Sequence, residues 1–225
     1  RHRAIRRRTA GRELLQWLGL EHQSRTGVLE FGPVTSSLYG GSPGVGLLFA
    51  ELAASHRASG RTAEAATLAD DAQAAIDAMQ DPVFSEARLR SGRFWRECPP
   101  GLSGIGGFLL AAIAAADLLG DSAGATRLQE QAFAVVLALP DAAVEQRKYC
   151  DLLTGNAGLI GPLLWIAERA GETGVARRAV SLAVAAGKQL CAAQEGAGGW
   201  PFPGAFRALT GFSHGASGVA AALAR

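Results

Sequence analysis

One pattern occurs four times along this chain and narrows the folds open to it. A glycine, any two residues and a second glycine are followed by a long apolar run, at Gly41 and Gly44, Gly101 and Gly104, Gly155 and Gly158, and Gly215 and Gly218. The first glycines of these pairs fall 60, 54 and 60 residues apart. Each run lacks turn signals and is apolar on nearly every side, which is the composition of a buried helix. Glycine adopts positive φ and lets a second backbone approach closely, so a glycine pair suits a tight turn at a helix start. Pro162 is expected in the first turn of its helix, where no intrahelical N–H is lost.

Different segments separate these runs. Between Arg61 and Gln80, Ala65, Leu68, Ala69, Ala72 and Ile76 share one side against Glu64, Asp70, Asp71 and Asp77. From Glu172 to Gln194, Val175, Ala179, Leu182, Ala183, Ala186 and Leu190 align, with Arg177, Arg178, Ser181 and Lys188 elsewhere. The i, i+3, i+4 spacing makes both amphipathic surface helices. No stretch shows the sustained alternation of a β-strand. One buried and one amphipathic helix per repeat form a helical hairpin. Hairpins set in a circle give an all-α, α/α toroid, with an apolar inner ring, an amphipathic outer ring and all four glycine turns at one end. Loops gathered at one end of a scaffold are where binding sites collect.

Composition removes several classes of function. With 225 residues, 48% of them hydrophobic, the chain can build a substantial core, and its 29 glycines follow no collagen period. Charge is uneven: Arg1, Arg3, Arg6, Arg7, Arg8 and Arg12 crowd the first twelve positions, and the rest holds 16 Lys+Arg against 20 Asp+Glu. No cation cluster stands beside stacking aromatics, so nucleic acid is not an expected partner. The Arg run reads as a solvated tail or interdomain linker over residues 1–25, ahead of a domain over 26–225. The three cysteines include no C-x-x-C and no signal peptide is visible, which fits a reducing, cytoplasmic compartment. The most apolar stretch, Gly106 to Leu119, is too short for a bilayer and carries Asp117, so no membrane span is expected. A start at Arg1 and only four hairpins suggest a domain interrupted at both ends.

If the turns share one end, the residues just ahead of each glycine pair face it. Immediately before the first glycine stand Gly40, Pro100, Thr154 and His214, of which only histidine is a residue type suited to acid–base work. Four residues before it stand Ser37, Glu97, Asp151 and Gly211. A His and an Asp brought together there can act as general acid and base. The same two residues can equally serve as a helix cap and a turn-closing acceptor. Cys98 and Cys150 also precede turns, and with His214 they have the composition of a three-ligand zinc site or, alternatively, are small buried hydrophobes. Cys191, on the apolar side of its helix, reads as core, as does Trp165. Trp200, in the aromatic loop Gly198 to Pro203, is expected to wall a peptide groove; Trp95 stays open.

The segment from Gly199 to Gly218, with Leu-Thr-Gly-Phe-Ser-His-Gly at its centre, resembles the histidine segment of lanthionine synthetase cyclase domains. It looks most like the C-terminal cyclase of the bifunctional class II (LanM-type) enzymes. Ser37 to Gly44 and Asp151 to Gly158 fit the same family, and the likeness runs in order from about Thr26 to the end. The resemblance implies an α/α toroid that adds a peptide Cys thiol to dehydroalanine or dehydrobutyrine, giving a lanthionine or methyllanthionine thioether. It implies a dehydrated precursor peptide as partner and an upstream dehydratase domain in the same polypeptide. It also implies a zinc ion that turns the attacking thiol into thiolate. On it, His214 is the proton donor to the enolate, and Asp151 orients or charges that histidine or assists thiol deprotonation. The family's zinc ligands, a Cys in a Trp-Cys-x-Gly-like segment and a Cys-His or Cys-Cys pair, stand downstream of the histidine segment. Cys98, Cys150 and Cys191 match none of them, so no zinc ligand is assigned here. The ligands are expected beyond Arg225, and the chain alone is expected to be inactive.

Two other readings remain at this point. One is a different toroid enzyme: a glycosidase would need a carboxylate pair, for which only Asp151 and Glu97 stand near turns, and a terpenoid cyclase would need aspartate-rich motifs, which are absent. The other is a non-catalytic toroid that binds a peptide or thiol at its mouth.

Overall fold

The apolar runs and the amphipathic segments between them fold as helices, preceded by a small sheet. A computed structural model describes residues 4–9, 12–23, 28–34, 37–83, 85–146, 148–196, 198–205 and 207–225. Arg1, Arg3 and Thr26 lie outside these, as does Phe206 within the segment from Gly199 to Gly218. The strands are β1 (Ala4–Thr9), β2 (Arg12–Gln23) and β3 (Val28–Pro33). The helices are α1 (Ser42–Ala58), α2 (Thr62–Val83), α3 (Glu86–Leu89), α4 (Gly92–Glu97), α5 (Ile105–Leu119), α6 (Ala123–Ala138), α7 (Ala142–Glu145), α8 (Ala157–Ala170), α9 (Gly174–Ala192) and α10 (Ala216–Leu223). Among the described residues no helix is long and apolar enough to cross a membrane.

The helices following the four glycine pairs, α1, α5, α8 and α10, pack side by side in that order and form an inner arc. Each of the first three returns through an outer partner: α1 pairs with α2, α5 with α6, and α8 with α9. The arrangement is the all-α, toroid-like fold expected. Between the two arcs Phe108, Ile113, Leu128, Leu159, Leu163 and Leu182 are fully buried. The hairpin turns also repeat. α1, α5 and α8 are each followed by a glycine of positive φ, Gly60, Gly120 and Gly171, a conformation glycine adopts without the Cβ penalty. Two residues later Ser122 and Thr173 accept the Ala125 and Ala176 N–H groups and so cap α6 and α9.

The paired glycines work by close approach rather than by positive φ. A Cβ on the second glycine would stand 2.2 Å from the Leu38 carbonyl at Gly44, 2.0 Å from that of Pro99 at Gly104, 1.9 Å from that of Leu152 at Gly158 and 2.0 Å from that of Phe212 at Gly218. In every repeat the chain folds back over the helix start, and no side chain fits beneath it. Pro162 lies inside α8, past its first turn. The ring leaves the Gly158 carbonyl without its usual helical donor, and Gly106 of α5 packs there, so closely that a Cβ on it would lie 2.4 Å from that oxygen.

Several expectations need correction. Strands do occur: β1, β2 and β3 form an antiparallel sheet with β2 at its centre, and Arg6, Arg7 and Arg8 lie in β1 with their side chains exposed. Leu14 and Leu15, consecutive in β2, are both buried, which erases the period-2 signal that marks a half-exposed strand. Asp71 and Asp77, placed on a solvated face, are buried. The sheet covers one side of α2, with Arg6 paired to Asp71, and α6 covers another, where Arg127 pairs with Asp77 and the Gln73 and Gln131 amides donate to it. Cys191 is exposed, because the buried stripe of α9 runs through Ala176, Ala179, Leu182, Ala183, Ala186 and Leu190. α1 is buried on one side only, with Leu48 and Leu52 exposed.

Candidate functional site

The second, third and fourth glycine turns are laced together by their backbones. Leu102 and Ser103 N–H donate to the Leu152 and Leu153 carbonyls at 2.9 and 2.8 Å, and Leu152 N–H donates to the Ser213 carbonyl at 3.2 Å. This lacing sets Asp151 of the third turn beside His214 of the fourth, 63 positions further along the chain. Asp151 is 2% exposed. Its Oδ1 accepts the Thr154 N–H at 2.6 Å and its Oδ2 accepts the Thr154 hydroxyl at 2.7 Å. His214 Nδ1 stands 3.5 Å from Asp151 Oδ1, with the imidazole 38% exposed above the buried carboxylate. The turn-closing and acid–base readings of Asp151 are thus compatible: one carboxylate closes its turn and also faces the imidazole.

An aromatic wall flanks the pair. The Phe202 ring lies 4.8 Å from the imidazole, tilted by 57°, and Tyr149 meets Phe202 edge-on at 6.5 Å. Trp200 does not wall a groove. It is buried in the core, and its indole N–H donates to the Leu190 carbonyl at 2.7 Å, tying the loop to the end of α9 while Phe202, two residues on, reaches the histidine. Below the turns a cleft of about 280 Å³ runs along α5, α8 and α10. Trp165, expected in the core, is half-buried and lines it, together with Leu110, Pro162, Leu152 and Phe212.

The cysteines do not join this site. Burial pushes the Cys150 thiol above its ordinary value of 9.0, with Asp151 acting the same way and the Gln189 amide opposing. Gln189 Nε2 donates to the sulfur at 3.8 Å, and its Oε1 accepts from Asn156 Nδ2 at 2.9 Å. Cys98 is half-buried, with its sulfur 3.8 Å from the Pro99 carbonyl. Among the described residues no group of three or more His, Cys, Asp or Glu is placed to hold a metal ion. The three-ligand set considered from sequence is therefore not assembled.

Sequence reasoning brought forward Asp151 and His214 and overlooked Thr154, Phe202 and Tyr149. Thr154 had a visible signal, being the one hydroxyl among the residues that precede the four glycine pairs. Phe202 had none, because its role depends on where Trp200 is anchored. The pattern of glycine turns, the toroid and the histidine segment agree with a comparison against known families. A model of the family described as lanthionine synthetase C-like protein matches residues 32–225. The chain belongs to that family. A comparison with curated proteins gave no match.

Proposed function

We propose that Asp151 and His214 form the proton-transfer pair of a lanthionine-forming cyclase acting on a dehydrated precursor peptide, in the manner of the class II enzymes. The observation that carries this reading is the half-exposed imidazole standing 3.5 Å from a buried carboxylate at the turn end of the toroid. Such separations in ligand-free sites tighten when substrate binds. The reaction adds a thiol across a carbon–carbon double bond. The cysteine sulfur bonds to the β-carbon of dehydroalanine or dehydrobutyrine, the π-bond breaks, and its electron pair passes into an enolate. His214 delivers a proton to the α-carbon, and the proton lost by the thiol restores the imidazolium. Asp151 holds Nδ1 of the ring and stabilises its charged form, leaving Nε2 as the nitrogen that serves the substrate.

The family resemblance carries zinc with it, but the residues described here do not fit that ion. Cys150 is buried and bonded to Gln189, and no three-ligand group is present among the described residues. On this reading the 225 residues by themselves, incubated with zinc and a dehydrated cysteine-containing peptide, form no ring; thioethers from them would overturn the expectation that the ligands lie outside this chain. The pair itself is tested in the full-length protein by mass-spectrometric assay of ring formation. His214→Asn and Asp151→Asn are each expected to lower kcat by about 10²-fold or more, the range of general acid–base catalysis. Unchanged rates in both would remove the proposed roles.

A further inference from the structure

We infer that Thr154 is the positioning residue of the Asp151–His214 pair, its hydroxyl holding the carboxylate so that Oδ1 faces the imidazole. This rests on the reading of that pair as the proton-transfer unit. Thr154 gives Asp151 two hydrogen bonds, N–H to Oδ1 at 2.6 Å and hydroxyl to Oδ2 at 2.7 Å. The first closes the turn and recurs elsewhere: in the first glycine turn the Gly40 N–H donates to Ser37 Oγ at 3.1 Å across the same three-residue span. That turn closes with no side chain at the position of Thr154, and the second turn carries Pro100 there. The hydroxyl bond is therefore not a requirement of the turn. A hydroxyl stands at this position only in the third turn, the one whose carboxylate meets His214.

The physical consequence is a loss of freedom. The terminal torsion of an aspartate is broad, so a carboxylate held through one oxygen swivels. A second bond on the other oxygen removes that motion and leaves Oδ1 pointing at His214 Nδ1, which is buried and has no hydrogen-bond partner of its own. Outer groups that orient a histidine's carboxylate select the ring tautomer. With Oδ1 fixed, the neutral ring keeps its proton on Nδ1, and Nε2 is free to accept.

Thr154→Val removes the hydroxyl while keeping the branched shape and the N–H; Thr154→Ser restores the hydroxyl; Thr154→Ala is a second hydroxyl-free variant should valine not fit the turn. In the full-length protein, kcat for ring formation is expected to fall about tenfold or more in the hydroxyl-free variants, with KM within about twofold, and to recover largely in Thr154→Ser. Imidazole ¹⁵N shifts at alkaline pH are expected to place the His214 proton on Nδ1 in the parent and in Thr154→Ser. In Thr154→Val they are expected to report a mixture with the Nε2–H form. Unchanged kcat and unchanged tautomer in the hydroxyl-free variants overturn the inference, as does a serine variant no better than valine. Full activity in His214→Asn overturns the underlying reading instead, and the nitrogen shifts then decide on Thr154 alone.

Discussion

Gly158→Ala tests the physical account of the glycine turns directly. The added methyl would stand 1.9 Å from the Leu152 carbonyl oxygen and 2.9 Å from Gly101 Cα and Leu102 N. All of these are backbone atoms, so no side-chain rotation relieves the clash. The carbonyl must move by more than an ångström, and it then loses the Leu102 N–H it accepts at 2.9 Å. Overpacking of this kind costs about 1–3 kcal/mol, and the lost bond about 1 kcal/mol more. Alanine's better helix propensity returns about 1 kcal/mol. The expected net loss is about 2 kcal/mol, a fall of about 4–8 °C in Tm for a chain of this size. Gly174→Ala is the control, because Gly174 opens α9 with nothing within 4 Å of its would-be Cβ; it is expected to be neutral or slightly stabilising. Urea denaturation and thermal melting followed by circular dichroism measure both. If Gly158→Ala unfolds no more easily than Gly174→Ala, close approach is not what the second glycine provides.

Two further substitutions probe groups away from the site. Asp77→Ala strips the Gln73 and Gln131 amides of their buried acceptor, while Arg127, 42% exposed, keeps its contact with water; it is expected to cost about 1–3 kcal/mol in urea unfolding, and no measurable loss would refute the role of Asp77 as the acceptor of this network. Cys150 predicts an alkaline instability: burial raises its thiol pKa in the native chain, so above the ordinary value the unfolded chain binds fewer protons and stability falls as pH rises. The urea midpoint of the parent should therefore drop more steeply between about pH 8 and about pH 10 than that of Cys150→Ala; parallel slopes would refute the assignment.

Periodic features were legible in the residues, and features decided by neighbours were not. α9 exposes its outer side to solvent, so its apolar stripe could be read almost residue by residue, from Ala179 to Leu190. α2 obeys the same rule at Ala65, Leu68, Ala72 and Ile76, yet Asp71 and Asp77 are buried too. Two other elements supply their counter-charges, and nothing in the local sequence names those partners. β2 was missed because consecutive Leu14 and Leu15 are both buried. Trp200 was misplaced because the destination of an indole in a loop depends on the carbonyl its N–H finds, here that of Leu190.

The candidate site divides along the same line. The sequence alone determined that four glycine turns recur, that a helix follows each, and that a histidine and an aspartate stand at two of them. These are matters of backbone sterics and of residue type. Only the tertiary structure decided that those two turns are neighbours, because the Leu152 to Ser213 hydrogen bond joins strands of chain about sixty residues apart. It also decided that Thr154 occupies both oxygens of Asp151 and that Phe202 faces His214. Side-chain direction at such a site is fixed by packing from several elements at once, and no single stretch of sequence contains that information.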